Sequence, residues 1–390
     1  MVTSAGNNAV ETWNKVENLE CSLSPSPFEG TYFNGLVDQN FNADLSSKDR
    51  RYMDKGSQMA LIAANEAIKD SGLMLDSKEN DHAAIFMGSS LGGIESLSQE
   101  LIASATDGLD KISVLGMTKS LPNMLGANIS IKHQIGGGVY TYSSACSSGA
   151  VALGEAYLKI QREEIDIAIA GGSEACATIQ IMQSFKMLGA VSTSLELKTA
   201  SIPFSKKRSG FVLSEGAAIL ILETLESALE RDANIYAEIV GYGSTSDGTS
   251  LVAPDQKGIE KCMKKALKSA DMKPENVEYI NAHGTATQTN DEVESRAIER
   301  IFGNRPKVSS TKSILGHSLG ATGAVEAALC CQMIKKGILI PTINVKKSDV
   351  ADEIKLSLLL DRLQKYEGGA VISNSFAFGG HNVSLVFKEA

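Results

Sequence analysis

Cys146 lies in the run YSSACSSGA (142–150), between the strand-like VYTYS (139–143) and the helix-like SGAVALGEAYLKIQ (148–161). This turn sets a sulfur at a helix N-terminus, where the macrodipole and free N–H groups are expected to lower the thiol pKa. A thiolate there would act as a nucleophile, and the small Ser and Gly residues around it leave room for a substrate. Two of the five histidines sit in glycine-rich turns after strands: His283 in NAHGTATQTND (281–291) and His317 in KSILGHSLGATGA (312–324). One sulfur and two imidazoles at matching strand ends suit covalent catalysis with paired hydrogen-bond donors. His82 and His133 lack such surroundings and read as structural or exposed, while His381, close to a glycine turn in FGGHN, reads as a turn residue. Of the six cysteines, Cys176, Cys262, Cys330 and Cys331 read as buried structural thiols, and none forms a zinc-like spacing, so no metal is expected.

The elements that must position these residues alternate in type. A helix over 55–71 leads through a loop to a strand at Ala83–Met87. IDIAIAG (165–171) and AAILIL (217–222) are apolar without polar alternation, as strands covered on both faces are. The second half repeats the rhythm with IYAEIVGYG, a helix near 256–270, VEYINA, a helix near 290–301, KVSS, a helix near 320–336, AVISNS and VSLVF. Alternation of this kind predicts a layered α/β architecture. SGAV (148–151) and TGAV (322–325) each open a helix just after a candidate reactive residue, so the two halves are expected to be duplicates, divided as 1–230 and 231–390.

Composition narrows the function further. The 390 residues carry 37 basic and 46 acidic side chains, a formal charge of −9, which disfavours non-specific nucleic-acid binding. No apolar run approaches the roughly 20 residues of a membrane helix. The N-terminal residues have no secretory character, and reduced thiols point to the cytoplasm.

Four motifs then occur in order: ACSSG, NAHGTATxxND, SSTKSxLGHxLGATGAxEA and SNSFAFGGHN. Together they resemble the β-ketoacyl-ACP synthase I/II group of thiolase-fold condensing enzymes. The resemblance implies an α/β, thiolase-like, duplicated βαβαβαββ fold of five layers, usually a dimer. It also implies decarboxylative Claisen condensation between an acyl thioester and malonyl-ACP, without a cofactor. By position, Cys146 matches the acyl-accepting nucleophile, His283 and His317 the paired histidines, and Lys312 and Glu326 a supporting charge pair. Phe378 matches the gating residue, whose N–H would share an oxyanion hole with that of Cys146. Lys48, Arg51 and Arg208 match positions that meet the acidic acyl carrier protein at the pocket mouth. Partners implied are that carrier protein and a second subunit, identical or related.

The sequence also departs from this pattern. The family begins with a strand of RVVVTGxG kind, whereas Met1 here starts at VTSAGN. That strand is expected to be missing, its neighbours exposed, and an upstream extension is expected to raise stability. The segments between Cys21 and Lys48 and between Gln99 and Pro122 are shorter than the pattern, and Gln288 replaces a common proline. A non-catalytic chain-length-factor-like subunit is the alternative reading, disfavoured because Cys146 is present. A thiolase would need a second C-terminal cysteine, and a type III initiating synthase an asparagine in place of His317. Fatty-acid and polyketide or polyene elongation both remain open at this point, the short loops tilting toward the specialised role.

Overall fold

The fold comes from a computed structural model and is described for residues 1–28, 32–73, 75 and 80–390. Parts of two segments named above, residues 29–31 and residues 74 and 76–79 of the loop after the first long helix, lie outside the described residues.

Ten strands form two five-stranded sheets. The first contains β1 (Val2–Thr3), β2 (Ala83–Gly88), β3 (Val139–Tyr142), β4 (Ile167–Glu174) and β5 (Gly216–Glu223), in spatial order β1-β5-β4-β2-β3. The second contains β6 (Glu238–Ser246), β7 (Val277–Asn281), β8 (Lys307–Ser309), β9 (Ala370–Ala377) and β10 (His381–Lys388), in order β6-β10-β9-β7-β8. When the strands of each sheet are counted along the chain, both orders read first-fifth-fourth-second-third. The directions also agree: β2 lies parallel to β3 and β4, and β7 parallel to β8 and β9, while the fourth–fifth and fifth–first pairs are antiparallel in both sheets. The duplication is therefore topological, well beyond the four-residue echo of SGAV and TGAV.

Alternate residues of one strand enter different cores. In β2, Ala83, Ile85 and Met87 pack on the outer helices α1 (Lys55–Ser71) and α2 (Met124–His133), whereas Ala84 and Phe86 face the centre of the molecule. In β9 and β10, Ile372 and Val386 face outward, toward α4 (Gln256–Ser269) and α5 (Gln288–Phe302), while Val371, Leu385 and Phe387 face inward. The apolar runs lacked alternation because both strand faces are covered. Between the sheets lie α3 (Ser148–Gln161) and α6 (Thr322–Lys336), giving five layers, helix–sheet–helix–sheet–helix.

The central pair of helices approaches closely through small residues. A Cβ on Gly149 would lie 3.0 Å from the Ala324 Cβ, and one on Gly323 would lie 2.7 Å from the Ala150 Cβ. These are the two echoed segments, and their contact brings the N-termini of α3 and α6 together. Capping follows ordinary rules elsewhere: Asp54 accepts from the Gly56 N–H at the start of α1, and Gly72 closes it at φ 68°.

The first strand, expected to be missing, is present as the two residues of β1. Val2 is fully buried and pairs with Ala217, and the Met1 ammonium lies 2.5 Å from Glu66. Beyond Ala217, β5 has no further partner on that side among the described residues, and Leu220 to Glu223 are only partly buried. The expected exposure is thus confined to that half of β5. Gln288 occupies the first turn of α5, a place where proline is tolerated; its amide instead donates to the Arg208 carbonyl at 2.6 Å.

Candidate active site

The loop between β3 and α3 turns sharply at Ala145, which adopts a positive φ of 50°. Local bonds hold this strained turn: the Ser144 N–H donates to Ser148 Oγ at 2.9 Å, and that hydroxyl donates to the Ala145 carbonyl at 2.7 Å. Cys146 follows immediately, at the start of α3, 6% exposed at the floor of a cavity of about 270 Å³. His283, after β7, and His317, after the Lys312–Leu315 turn, reach the same cavity from the second half. The three donor atoms lie within 4.8 Å of one another, and the imidazole rings meet nearly perpendicular at 5.4 Å. Sulfur and two imidazole nitrogens could ligate a soft cation; they also surround a space suited to one thioester carbonyl.

Burial governs the protonation of this site. The Cys146 thiol is pushed up to about 12 by desolvation, opposed by the Lys312 charge and by its own N–H and that of Phe378. This corrects the expectation of a lowered thiol pKa: the cost of a thiolate in so dry a site exceeds what the helix terminus returns. His283 and His317 are held well below the usual histidine range, first by burial and then by the Lys312 ammonium. Both imidazoles are therefore neutral at neutral pH. His317 Nδ1 lies 2.9 Å from Thr322 Oγ1; when that hydroxyl donates, the ring proton sits on Nε2.

Lys312 is 2% exposed and its ammonium lies 2.7 Å from Glu326 Oε1. Glu294, on α5, accepts the N–H groups of both His283 and Gly284 at 2.8 Å. On the other side, Glu174 at the end of β4 accepts from Ser89 Oγ, from the N–H groups of Ser90 and Leu91, and from the N–H of Gly320. It thereby ties the loop after β2 to the turn after His317. Burial raises Glu174 and Glu294 to about 7. Phe378 is half-buried, with its ring 6.5 Å from that of Phe185, and Phe211 meets the His317 ring edge-on at 5.1 Å.

The residues expected from sequence thus divide. Cys146, His283, His317, Lys312, Glu326 and Phe378 converge on one cavity and its charged support. Lys48 and Arg51 are exposed on the short helix Ser47–Tyr52. Arg208 is not a surface cation: it is 2% exposed, lies 3.8 Å from Asp291 and 3.1 Å from Glu353, and donates to the carbonyls of Ser205, Thr287 and Gln288. It braces the start of α5, so the expectation that it meets a carrier protein is corrected. Sequence reasoning passed over Thr322, Glu294 and Glu174. The only available signals were a hydroxyl five residues after His317 and an acid eleven residues after His283; Glu174 carried none.

Comparison with known proteins places this geometry. Residues 4–228 match the family described as beta-ketoacyl synthase, N-terminal domain, and residues 236–346 match beta-ketoacyl synthase, C-terminal domain. The chain is 36% identical over 393 residues to 3-oxoacyl-[acyl-carrier-protein] synthase 2 of Staphylococcus aureus (strain COL), covering 100% of this chain and 94% of that one. Among solved structures it is similar to the ishigamide ketosynthase/chain length factor, with a TM-score of 0.93, 30% identity and coverage of 100% and 97%. It is also similar to one chain of a solved complex described as a type II PKS acyl-carrier protein in complex with its ketosynthase bound to the hexaketide, with a TM-score of 0.90, 29% identity and coverage of 100% and 97%.

Proposed function

The chain belongs to the β-ketoacyl synthase family, and from that premise we propose how its own residues carry out the decarboxylative condensation of an acyl thioester with malonyl-ACP. The protein is an acyltransferase acting in fatty-acid or polyketide chain elongation. The observation that carries the assignment of roles is the meeting of Cys146 Sγ with two neutral imidazoles inside 4.8 Å.

In the first half-reaction Cys146 Sγ attacks the acyl carbonyl. The new C–S bond forms as the carrier C–S bond breaks, and the Cys146 proton passes to the departing carrier thiolate. The N–H groups of Cys146 and Phe378, both directed at the sulfur, receive the oxyanion of the tetrahedral intermediate. In the second half-reaction the malonyl C–CO₂ bond breaks and its electron pair becomes an enolate. The enolate oxygen is stabilised by N–H donation from His283 and His317. The enolate carbon then attacks the acyl-Cys146 carbonyl; the C–C bond forms and the Cys146 thiolate leaves and is reprotonated from solvent. Neutral imidazoles suit this step, because they donate without surrendering a proton to the carbanion. Lys312, paired with Glu326, offsets negative charge at the sulfur and adds to the burial that keeps both rings neutral.

Substrates arrive on an acyl carrier protein, as in the solved carrier–ketosynthase complex. The subunit pairs with a copy of itself or with a related ketosynthase-like chain. Support for pairing comes from the partly exposed edge strand β3 and from Leu101, Leu109, Val114 and Met117, all more than half exposed. We place the protein in the cytoplasm on the basis of its free cysteines; among the described residues, no helix is long and apolar enough to cross a membrane.

The test is mass spectrometry of intact protein and its peptides after incubation with acyl-ACPs of several chain lengths. An acyl mass on the Cys146 peptide is expected for at least one donor. Absence of acylation at Cys146 with every donor overturns the reading.

A further inference from the structure

Helix α4 carries five lysines on one exposed stripe: Lys257, Lys261, Lys264, Lys265 and Lys268. Their spacing of four, three, one and three residues keeps them on one side of a 3.6-residue helix. The opposite side, Ile259, Cys262, Met263, Ala266 and Leu267, is buried in the outer core against the second sheet. Little opposes this charge. Glu260 is the carboxylate within the stripe, and it is shared between Lys264 at 3.4 Å and Arg300 of the neighbouring α5 at 3.6 Å. Lys257, Lys261 and Lys268 have no ion-pair partner among the described residues. On a chain of net charge −9, five lysines in one row, facing a single shared carboxylate, are a concentrated field.

Position gives the stripe a meaning. Val252, Ala253 and Pro254 line the catalytic cavity, Asp255 caps α4, and Lys257 stands in its first turn. The row therefore starts at the cavity rim and runs outward for roughly 16 Å, eleven residues at about 1.5 Å each. With Arg208 buried in ion pairs, this row is a basic surface that begins beside the rim.

We propose that the lysine row of α4 is a docking track for the acidic carrier protein, capturing it electrostatically and guiding its thioester arm to the rim at Pro254. The proposal rests on the function given above. A carrier protein fits better than a membrane or a nucleic acid. The exposed face of α4 has no apolar residues to enter a bilayer, and the site beside it takes a substrate delivered on a protein. Charges of this kind act mainly on encounter, so they should govern KM and its salt dependence and leave kcat alone.

The experiment compares the parent protein with the triple variant Lys261→Glu/Lys264→Glu/Lys268→Glu, using malonyl-ACP and, separately, malonyl-pantetheine. The triple variant is expected to raise KM for malonyl-ACP by about tenfold at low salt, to flatten its salt dependence, and to leave kcat and the malonyl-pantetheine KM unchanged. If the triple variant melts early, the single variants Lys261→Glu and Lys268→Glu are expected to raise KM by about twofold each. Parental KM and salt slope in the folded variants overturn the docking track. A parent enzyme that condenses neither substrate overturns the function itself, and the track with it.

Discussion

The ammonium of Lys312 and the carboxylate of Glu326 form a 2.7 Å ion pair in which both side chains are almost wholly shielded from water. The pair joins the turn after β8 to the first turns of α6, and its positive member is the charge that acts on Cys146, His283 and His317 together. Burial thus governs the protonation of three groups from two halves of the chain, and this one buried cation modulates all of them.

Lys312→Met should move the pH profile. In the parent, both imidazoles stay neutral until well below the ordinary histidine range, so malonyl decarboxylation is expected to hold steady from pH 8 through 6.5 and fall only at lower pH. Removing the ammonium removes one of the effects depressing the histidines, so the acidic limb should shift to higher pH. It also leaves Glu326 buried without its partner, with a stability loss of about 3–5 kcal/mol. Decarboxylation rates across pH 5–8, beside a thermal melt, read both effects; an unmoved acidic limb contradicts the assignment.

His317→Ala should separate the two half-reactions. Acylation of Cys146 uses backbone N–H groups and is expected to survive, while malonyl decarboxylation should fall by about 100-fold or more. Thr322→Val tests the orienting hydroxyl 2.9 Å from His317 Nδ1, and a drop of about tenfold in decarboxylation with normal acylation is expected. Labelled CO₂ release and intact mass measure the two steps independently.

Gly88→Ala probes how the nucleophile turn is held. A Cβ there would lie 2.3 Å from the Ser148 backbone, at the start of α3, so either β2 or the Cys146 turn must shift. A stability loss of at least about 1–3 kcal/mol and slower acylation are expected, seen by chemical denaturation and by the rate of acyl-enzyme formation.

Glu174 gives stability a pH dependence of defined sign. Its folded value, about 7, lies above the ordinary 4.5, so the folded state binds the extra proton between these values. Its contribution is therefore full below about pH 4.5 and is lost as pH rises toward and through 7. Glu174→Gln should be less stable overall, because four donors lose a carboxylate, but the parent-minus-variant difference should shrink by a few kcal/mol at most between pH 4.5 and 7.5. Denaturant midpoints at several pH values check the slope, and a flat difference argues against a titrating Glu174.

Much of the site was legible because its chemistry is local in sequence. The Cys146 turn needs small residues before and after the sulfur, and the His283 and His317 loops need glycine at close approaches: Gly284 at φ 39° lies against Ser310, and Gly316 at φ 74° against Val212. Strand and helix positions were likewise visible, because residues covered on both faces leave apolar runs and helices covered on one face leave periodic ones.

What sequence alone determined was the inventory: a thiol, two imidazoles, a lysine–glutamate pair and two matching sets of strands and helices. Tertiary structure decided their state. It buried Cys146 deeply enough to raise its thiol, where helix position suggested the reverse. It turned Arg208 inward onto Asp291 and Glu353, and left the lysines of α4 in water beside the cavity rim. It also brought Glu174 to Gly320, 146 residues away in the chain. The physical reason is common to all of these: protonation and availability depend on how much water and which charges surround a group, and that surrounding is assembled from segments far apart in sequence.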